Sequence, residues 1–143
     1  MSDEMLYVSW GGAGRPASLR MAMQRADDAD RALVYLAILD SASFADLDDT
    51  MFDLVTDELR WLLEAQMELA RRQTGLVDLV TRVVVRRGDI DAEVRATVEA
   101  AAIDEVFVGA PLVSHDGRST DGLLDALATA TGARVELLVP GAE

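Results

Sequence analysis

Two glycine-bearing loops hold the residue types that could do chemistry in this chain, and that chemistry is phosphate binding. Gly109 closes the apolar run Val106-Phe107-Val108, and Gly122 stands at the start of a helical segment some way downstream. Glycines placed between a strand and a helix let backbone N–H groups come close to an anion, and the helix start adds a partial positive charge. The second loop, Gly12-Ala13-Gly14-Arg15-Pro16-Ala17, follows the first apolar run, opens a helix and formally matches Gly-x-Gly-x-x-Ala. Asp40 then takes the place of the acid that holds ribose hydroxyls in a dinucleotide site. It stands farther from the glycines than the roughly 20 residues usual for that fingerprint. A chain of 143 residues also leaves no room for a substrate domain. A plain strand-to-helix connection is therefore the preferred reading, with Arg15 making the Gly11 to Arg15 loop the better trap for an acidic metabolite.

Other constellations resolve into surface chemistry. Ser114-His115-Asp116 spells the residue types of a hydrolase triad, but consecutive side chains diverge and cannot hydrogen-bond in series; with Gly117 next, a polar loop tip results. Asp46, Asp48 and Asp49 suggest a calcium loop, but its glycine is absent and its twelfth position falls on Asp57 inside a helical segment. Arg86-Arg87 should lie near the same sheet end as the glycine loop, where pairing with surface carboxylates is expected. No cysteine and a single His115 exclude thiolate chemistry, sulfur-bound zinc and multi-histidine metal centres.

The charge balance narrows the partners further. With 26 acidic against 13 basic residues, the net charge of -13 opposes nucleic-acid backbones. All the basic residues are arginine. A G+C-rich genome accounts for the missing lysine, whereas the acid excess fits a salt-adapted protein whose carboxylates keep it soluble in brine. The longest apolar run, Ala32 to Leu39, is far too short for a bilayer span, and Met1-Ser2-Asp3-Glu4 lacks the basic start of a secretion signal. The expectation is a cytoplasmic protein made of one domain over residues 1–143.

These loops need elements to hold them, and the chain supplies β-rich runs alternating with helical periodicity, the pattern of an α/β doubly wound domain on a parallel sheet. Strands are expected at Met5 to Trp10, Ala32 to Leu39, Leu79 to Arg87, Glu105 to Gly109 and Arg134 to Pro140. Pro16 suits the first turn of helix one, which should bury Leu19, Met23 and Ala26. A long second helix should bury Met51, Val55, Leu59, Leu62, Ala65 and Leu69, pair Arg60 with Glu64 and Glu68 with Arg72 on its outer face, and stop at Gly75. Gly88-Asp89 is a turn with a helix cap before Ile90, Val94, Val98 and Ala101; Thr120 to Thr131 forms the last helix, ended by Gly132.

The closing third resembles the universal stress protein family, whose signature is a strand ending in Gly-x-x-Gly, nine residues, then Gly-Ser or Gly-Thr. Counting from Gly109, the second glycine falls on Leu112, the third on Gly122 and the hydroxyl residue on Leu123. Gly88-Asp89, the following Ala92-Glu93-Val94 and the strand into Gly109 also look like the family's middle section. The resemblance implies a five-stranded parallel sheet in order 3-2-1-4-5 with helices on both faces. It implies a nucleotide position as well, with Gly109, Gly122, Ile38 and Gly11 as the cofactor-binding slots. Gly11 replaces the family's nucleoside-binding Asp, Leu112 adds bulk where backbone must crowd phosphate, and Leu123 removes a hydroxyl donor. Trp10, beside the Gly11 slot, is read as a core residue ahead of a plug for the base.

Losing one hydrogen bond to a charged group costs roughly 1.5–3 kcal/mol, about one to two decades in affinity. The expectation is therefore a dimeric stress-response or regulatory module with no cofactor and no catalysis. The alternative is a switch or slow ATPase that takes ATP or AMP on a remodelled Gly109 to Gly122 loop. The apolar last strand has little chain left to cover it, and the resemblance implies that it pairs with its twin in a homodimer through Val135, Leu137 and Val139.

Overall fold

A computed structural model describes residues 3–10, 16–40, 46, 48–109 and 120–138. The elements run β1 (Glu4–Trp10), α1 (Pro16–Asp28), β2 (Ala32–Asp40), α2 (Asp49–Thr74), β3 (Thr81–Gly88), α3 (Ile90–Ala101), β4 (Glu105–Gly109), α4 (Thr120–Thr131) and β5 (Arg134–Leu138). The five strands form one parallel sheet in order β3-β2-β1-β4-β5. This is the expected α/β doubly wound class with its strand order.

Both faces of the sheet are covered, and for that reason its inner strands read as unbroken apolar runs instead of alternating ones. Along β2, Leu33, Tyr35, Ala37 and Leu39 point into the layer shared with α1 and α2. Val34, Leu36 and Ile38 point into the layer shared with α3 and α4. Helix one buries Leu19, Met23 and Ala26 as its periodicity requires. Helix three buries Ile90, Val94 and Val98, and its start is capped by the Asp89 carboxylate, which accepts from the Ala92 N–H at 3.2 Å. Asp48 does the same for α2, accepting from Met51 N–H at 2.7 Å, so one of the acids that mimic a calcium loop is a helix cap. Gly75 ends α2 in the left-handed conformation at φ 75°.

Helix α2 differs from expectation in which face it buries. Its core contacts are Phe52, Leu63, Met67 and Ala70, with Val55 and Leu59 partly buried beside them. Met51, Leu62, Ala65 and Leu69, expected inside, are exposed. Two apolar stripes wind along this helix, and periodicity alone does not say which one meets the sheet. Of the expected surface pairs, Glu68 and Arg72 meet at 3.5 Å. Arg60 and Glu64 do not pair; Glu68 is drawn instead to Arg71 at 2.9 Å, whose guanidinium also reaches Thr81 at the start of β3.

Strand limits shift by one or two residues. β1 begins at Glu4, β2 reaches Asp40, and β3 runs from Thr81 to Gly88, leaving Leu79 as a buried residue ahead of it. Arg87 at the end of β3 meets the Asp49 carboxylate at 3.6 Å and lies 4.1 Å from the Phe52 ring centroid, the surface pairing expected for it. Charged residues Arg82, Arg86 and Arg87 on this outer strand protect its edge from pairing with other chains.

Candidate functional site

In a doubly wound sheet the ligand crevice lies at the carboxyl ends of the strands where the strand order reverses. Here that point falls between β1 and β4: β1 leads to α1 in one layer, β4 leads to α4 in the other. The strands pair Leu6 with Val106, Tyr7 with Phe107 and Val8 with Val108, which brings Gly109 to the upper end beside β1. Trp10 pairs with Ile38 across β1 and β2 at the same end. Gly122 lies in the first turn of α4 and is exposed. Gly109, Ile38 and Gly122 therefore stand in elements that converge on the switch point. Gly11, Leu112, the Gly12 to Arg15 loop and the Ser114-His115-Asp116 tip lie outside the described residues, as do the side chains of Asp40 and Leu123.

Gly109 is hemmed in from the α1/α2 side. A Cβ at this position would overlap the Tyr7 hydroxyl and stand 2.9 Å from Tyr7 Cζ. The missing side chain thus makes room for a tyrosine of the neighbouring strand. This is the close-packing role that weighs against phosphate contact as the reason for glycine here.

Tyr7 belongs to a polar group buried under this end of the sheet, which sequence reasoning missed. Its ring meets Tyr35 edge to face, with centroids 4.8 Å apart and planes at 88°. The Ser9 hydroxyl donates to the Tyr35 hydroxyl at 3.2 Å. On α1, the Ser18 hydroxyl donates to the Leu138 carbonyl at 3.1 Å, tying the helix start to the end of β5. The Tyr7 hydroxyl lies beside Ser18 yet has no hydrogen-bond partner of normal geometry among the described residues. The sequence carried only part of the signal, with Tyr7 and Ser9 alternating on β1 and Tyr35 within the apolar run of β2; their register comes from the sheet.

Burial pushes the Tyr7 phenol well above its ordinary value, Tyr35 adds to the rise, and Ser18 opposes it. A raised folded-state value means the native protein holds this proton more tightly than the unfolded chain does. The associated stabilisation is complete below about pH 10, the ordinary tyrosine value, and is lost as pH rises above it. Alkaline titration followed by phenolate absorbance should show Tyr7 ionising only with unfolding. In Tyr7→Phe, the fall of stability in that pH range should be shallower than in the native protein.

Trp10 is half-buried and packs against the apolar cluster of the α3/α4 layer, the core reading preferred for it. Its indole Nε1 is sealed from solvent with no hydrogen-bond partner among the described residues. Ile38, fully buried in that layer, offers a ligand only its main chain. Among the described residues no group of acids and histidines could hold a metal ion. A groove of about 660 Å³ lies elsewhere, between β3 and α3, lined by Arg82, Val84, Arg86, Glu93 and Thr97. It sits at the opposite sheet edge from β5, away from the switch point.

The sequence matches no family profile and no curated relative. Solved structures do resemble it over nearly the whole chain. A universal stress protein family member from Burkholderia pseudomallei superposes with a TM-score of 0.66 at 15% identity, covering 98% of this chain and 97% of that one. A universal stress protein in complex with cAMP gives 0.62 at 14% identity, covering 96% and 97%. An Arabidopsis thaliana family protein with AMP bound gives 0.54 at 12% identity, covering 97% and 92%. The switch-point sheet defines a doubly wound α/β domain. Its particular fold is that of the universal stress proteins. None of the helices described is long and apolar enough to cross a membrane.

Proposed function

We propose that this chain is a universal-stress-protein-like regulatory module of one domain, residues 1–143, that works by binding a protein client and neither binds ATP nor catalyses a reaction. The observation that carries this reading is the Tyr7 hydroxyl lodged in the space that Gly109 leaves. Glycine at that slot is thereby explained by packing, and it no longer argues for a phosphate. Leu112 and Leu123 then supply bulk and remove a donor at two of the three remaining signature positions.

The second reading, a switch that holds ATP or AMP, is favoured by the nucleotides bound to two proteins of the same fold. The pair is separated by restoring the signature. In Leu112→Gly/Leu123→Ser, recovery of the hydroxyl alone should tighten AMP or ATP binding by about 10–100-fold over the native chain, measured by equilibrium titration. Equal affinity in the two proteins would remove the role assigned to these leucines.

The same proposal includes a homodimer through β5. Val135 and Leu137 pack half-buried against the α3/α4 layer, leaving the outer backbone edge of β5 as the surface for a twin strand, while Val139 lies outside the described residues. Sedimentation should return at least twice the chain mass at micromolar concentration. A single-chain mass there would count against the pairing.

A further inference from the structure

Helix α2 carries a second apolar stripe that the sheet does not use. At 100° per residue, Leu54, Trp61, Leu62, Ala65 and Leu69 fall together on one side, opposite the buried Phe52, Leu63 and Ala70. Trp61 is 73% exposed, Leu69 56%, Leu54 55% and Leu62 49%. With Met51 at the helix start, these side chains present on the order of 600 Å² of surface, most of the roughly 800 Å² that each partner gives to a standard interface. A patch of that size stands at the upper end of what monomeric proteins expose, where such patches are often functional.

Two charged residues interrupt the stripe, Glu58 and Arg72. They have opposite signs, and about 21 Å of helix separates them, so they cannot meet within one chain. Glu58 makes no ion pair among the described residues, and Arg72 reaches only Glu68, at 3.5 Å. Midway between them stands Ala65, the smallest residue of the stripe.

We infer that this face docks against the same face of a second copy, with the two α2 helices antiparallel about a two-fold axis at Ala65. The small side chain at the crossing lets the helices approach. The antiparallel register then sets Glu58 against the partner's Arg72 and Trp61 against the partner's Leu69, each contact occurring twice. Beyond the helix end, Val77 and Val80 are also exposed, at 67% and 69%. The occupant is a copy of this chain because the stripe is complementary to itself in both shape and charge. α2 packs beside β3, at the sheet edge opposite β5, so this contact neither needs nor blocks pairing through the last strand. With a net charge of -13 on each copy, association should tighten as salt screens their repulsion.

The test is sedimentation of the full chain across a concentration series. Trp61→Glu should weaken the α2 association at least ~100-fold, as expected for a central aromatic anchor. Because Trp61 is exposed, this variant should fold normally. Glu58→Arg and Arg72→Glu should each weaken it about tenfold, and the double reversal should restore it, since each reversed charge then meets the other across the dyad. A tryptophan emission shift with concentration, measured on a Trp10→Phe background, should follow the same order. Identical masses for the native chain and Trp61→Glu at every concentration would overturn the inference, whether that mass is one chain or two. So would a double reversal no better than the single ones.

Discussion

Gly109→Ala is expected to destabilise the protein by about 2–3 kcal/mol, the upper part of the range for adding volume to a packed core. The methyl would overlap the Tyr7 hydroxyl and stand 2.9 Å from Cζ, a separation that requires something to move. Tyr7 has little freedom to do so. Its side chain is fully buried, its ring is held edge to face by Tyr35, and β1 is paired on both sides. Tyr7→Phe removes the atom in conflict, so it should recover part of the loss, with a coupling of about 1 kcal/mol in a double-mutant cycle. Recovery stays partial because Cζ remains close. On its own, Tyr7→Phe should be neutral or slightly stabilising, since the hydroxyl it deletes is buried with no partner of normal geometry among the described residues. Denaturant unfolding of the four proteins measures all of this. If Gly109→Ala proved as stable as the parent, packing would no longer explain the glycine and a ligand role would regain its force.

Adjacent leucines on α2 should behave oppositely. Leu63→Ala is expected to cost about 2–5 kcal/mol, as deletion of a fully buried leucine does when its surroundings cannot collapse. Leu62→Ala, one residue earlier and 49% exposed, should fall within about 0.5 kcal/mol of the parent in the dissociated chain. The comparison holds helix propensity fixed, because both changes are leucine to alanine in the middle of the same helix. Thermal or denaturant unfolding at low protein concentration reads the difference. Similar losses at both positions would mean that α2 is rotated from the placement described. A reversed order would restore the stripe that periodicity first suggested.

How far the fold could be read from residues is clearest in this helix. Strand and helix number, the Gly75 and Gly132 stops and the Asp89 cap all rest on local rules: runs of apolar residues, a left-handed glycine, a carboxylate one residue ahead of a helix; the strand order was implied only by the family resemblance. Those rules act within a few residues and survive without knowledge of the partners. The face that α2 buries depends on the sheet beneath it. With Leu62 and Leu63 neighbouring, Leu69 and Ala70 neighbouring, the chain offers two stripes of similar strength. Pairing of Arg71 with Glu68 and Thr81 belongs to the arrangement that places the Leu63 and Ala70 stripe inward, and no spacing within α2 announces it.

The candidate site divides in the same way. That Gly109 and Gly122 flank the loop from β4 to α4 follows from sequence. That Gly109 is glycine because of Tyr7 does not, for the two residues are separated by most of the chain and meet only when β4 lies beside β1. Tyr7 and Tyr35 stand in the sequence as isolated polar tips in apolar runs, but their register does not. Their effect on the loop emerges only from three-dimensional placement.

Calorimetric titration of the native protein with ATP, repeated with AMP, bears most directly on the central claim that the cradle at the switch point is closed. We expect no saturable heat at ligand concentrations up to about 1 mM, the level at which a binding free energy of only about -4 kcal/mol would register. Stoichiometric micromolar binding of either nucleotide, retained in the Trp61→Glu chain and weakened by a bulky substitution at Gly122, would contradict it.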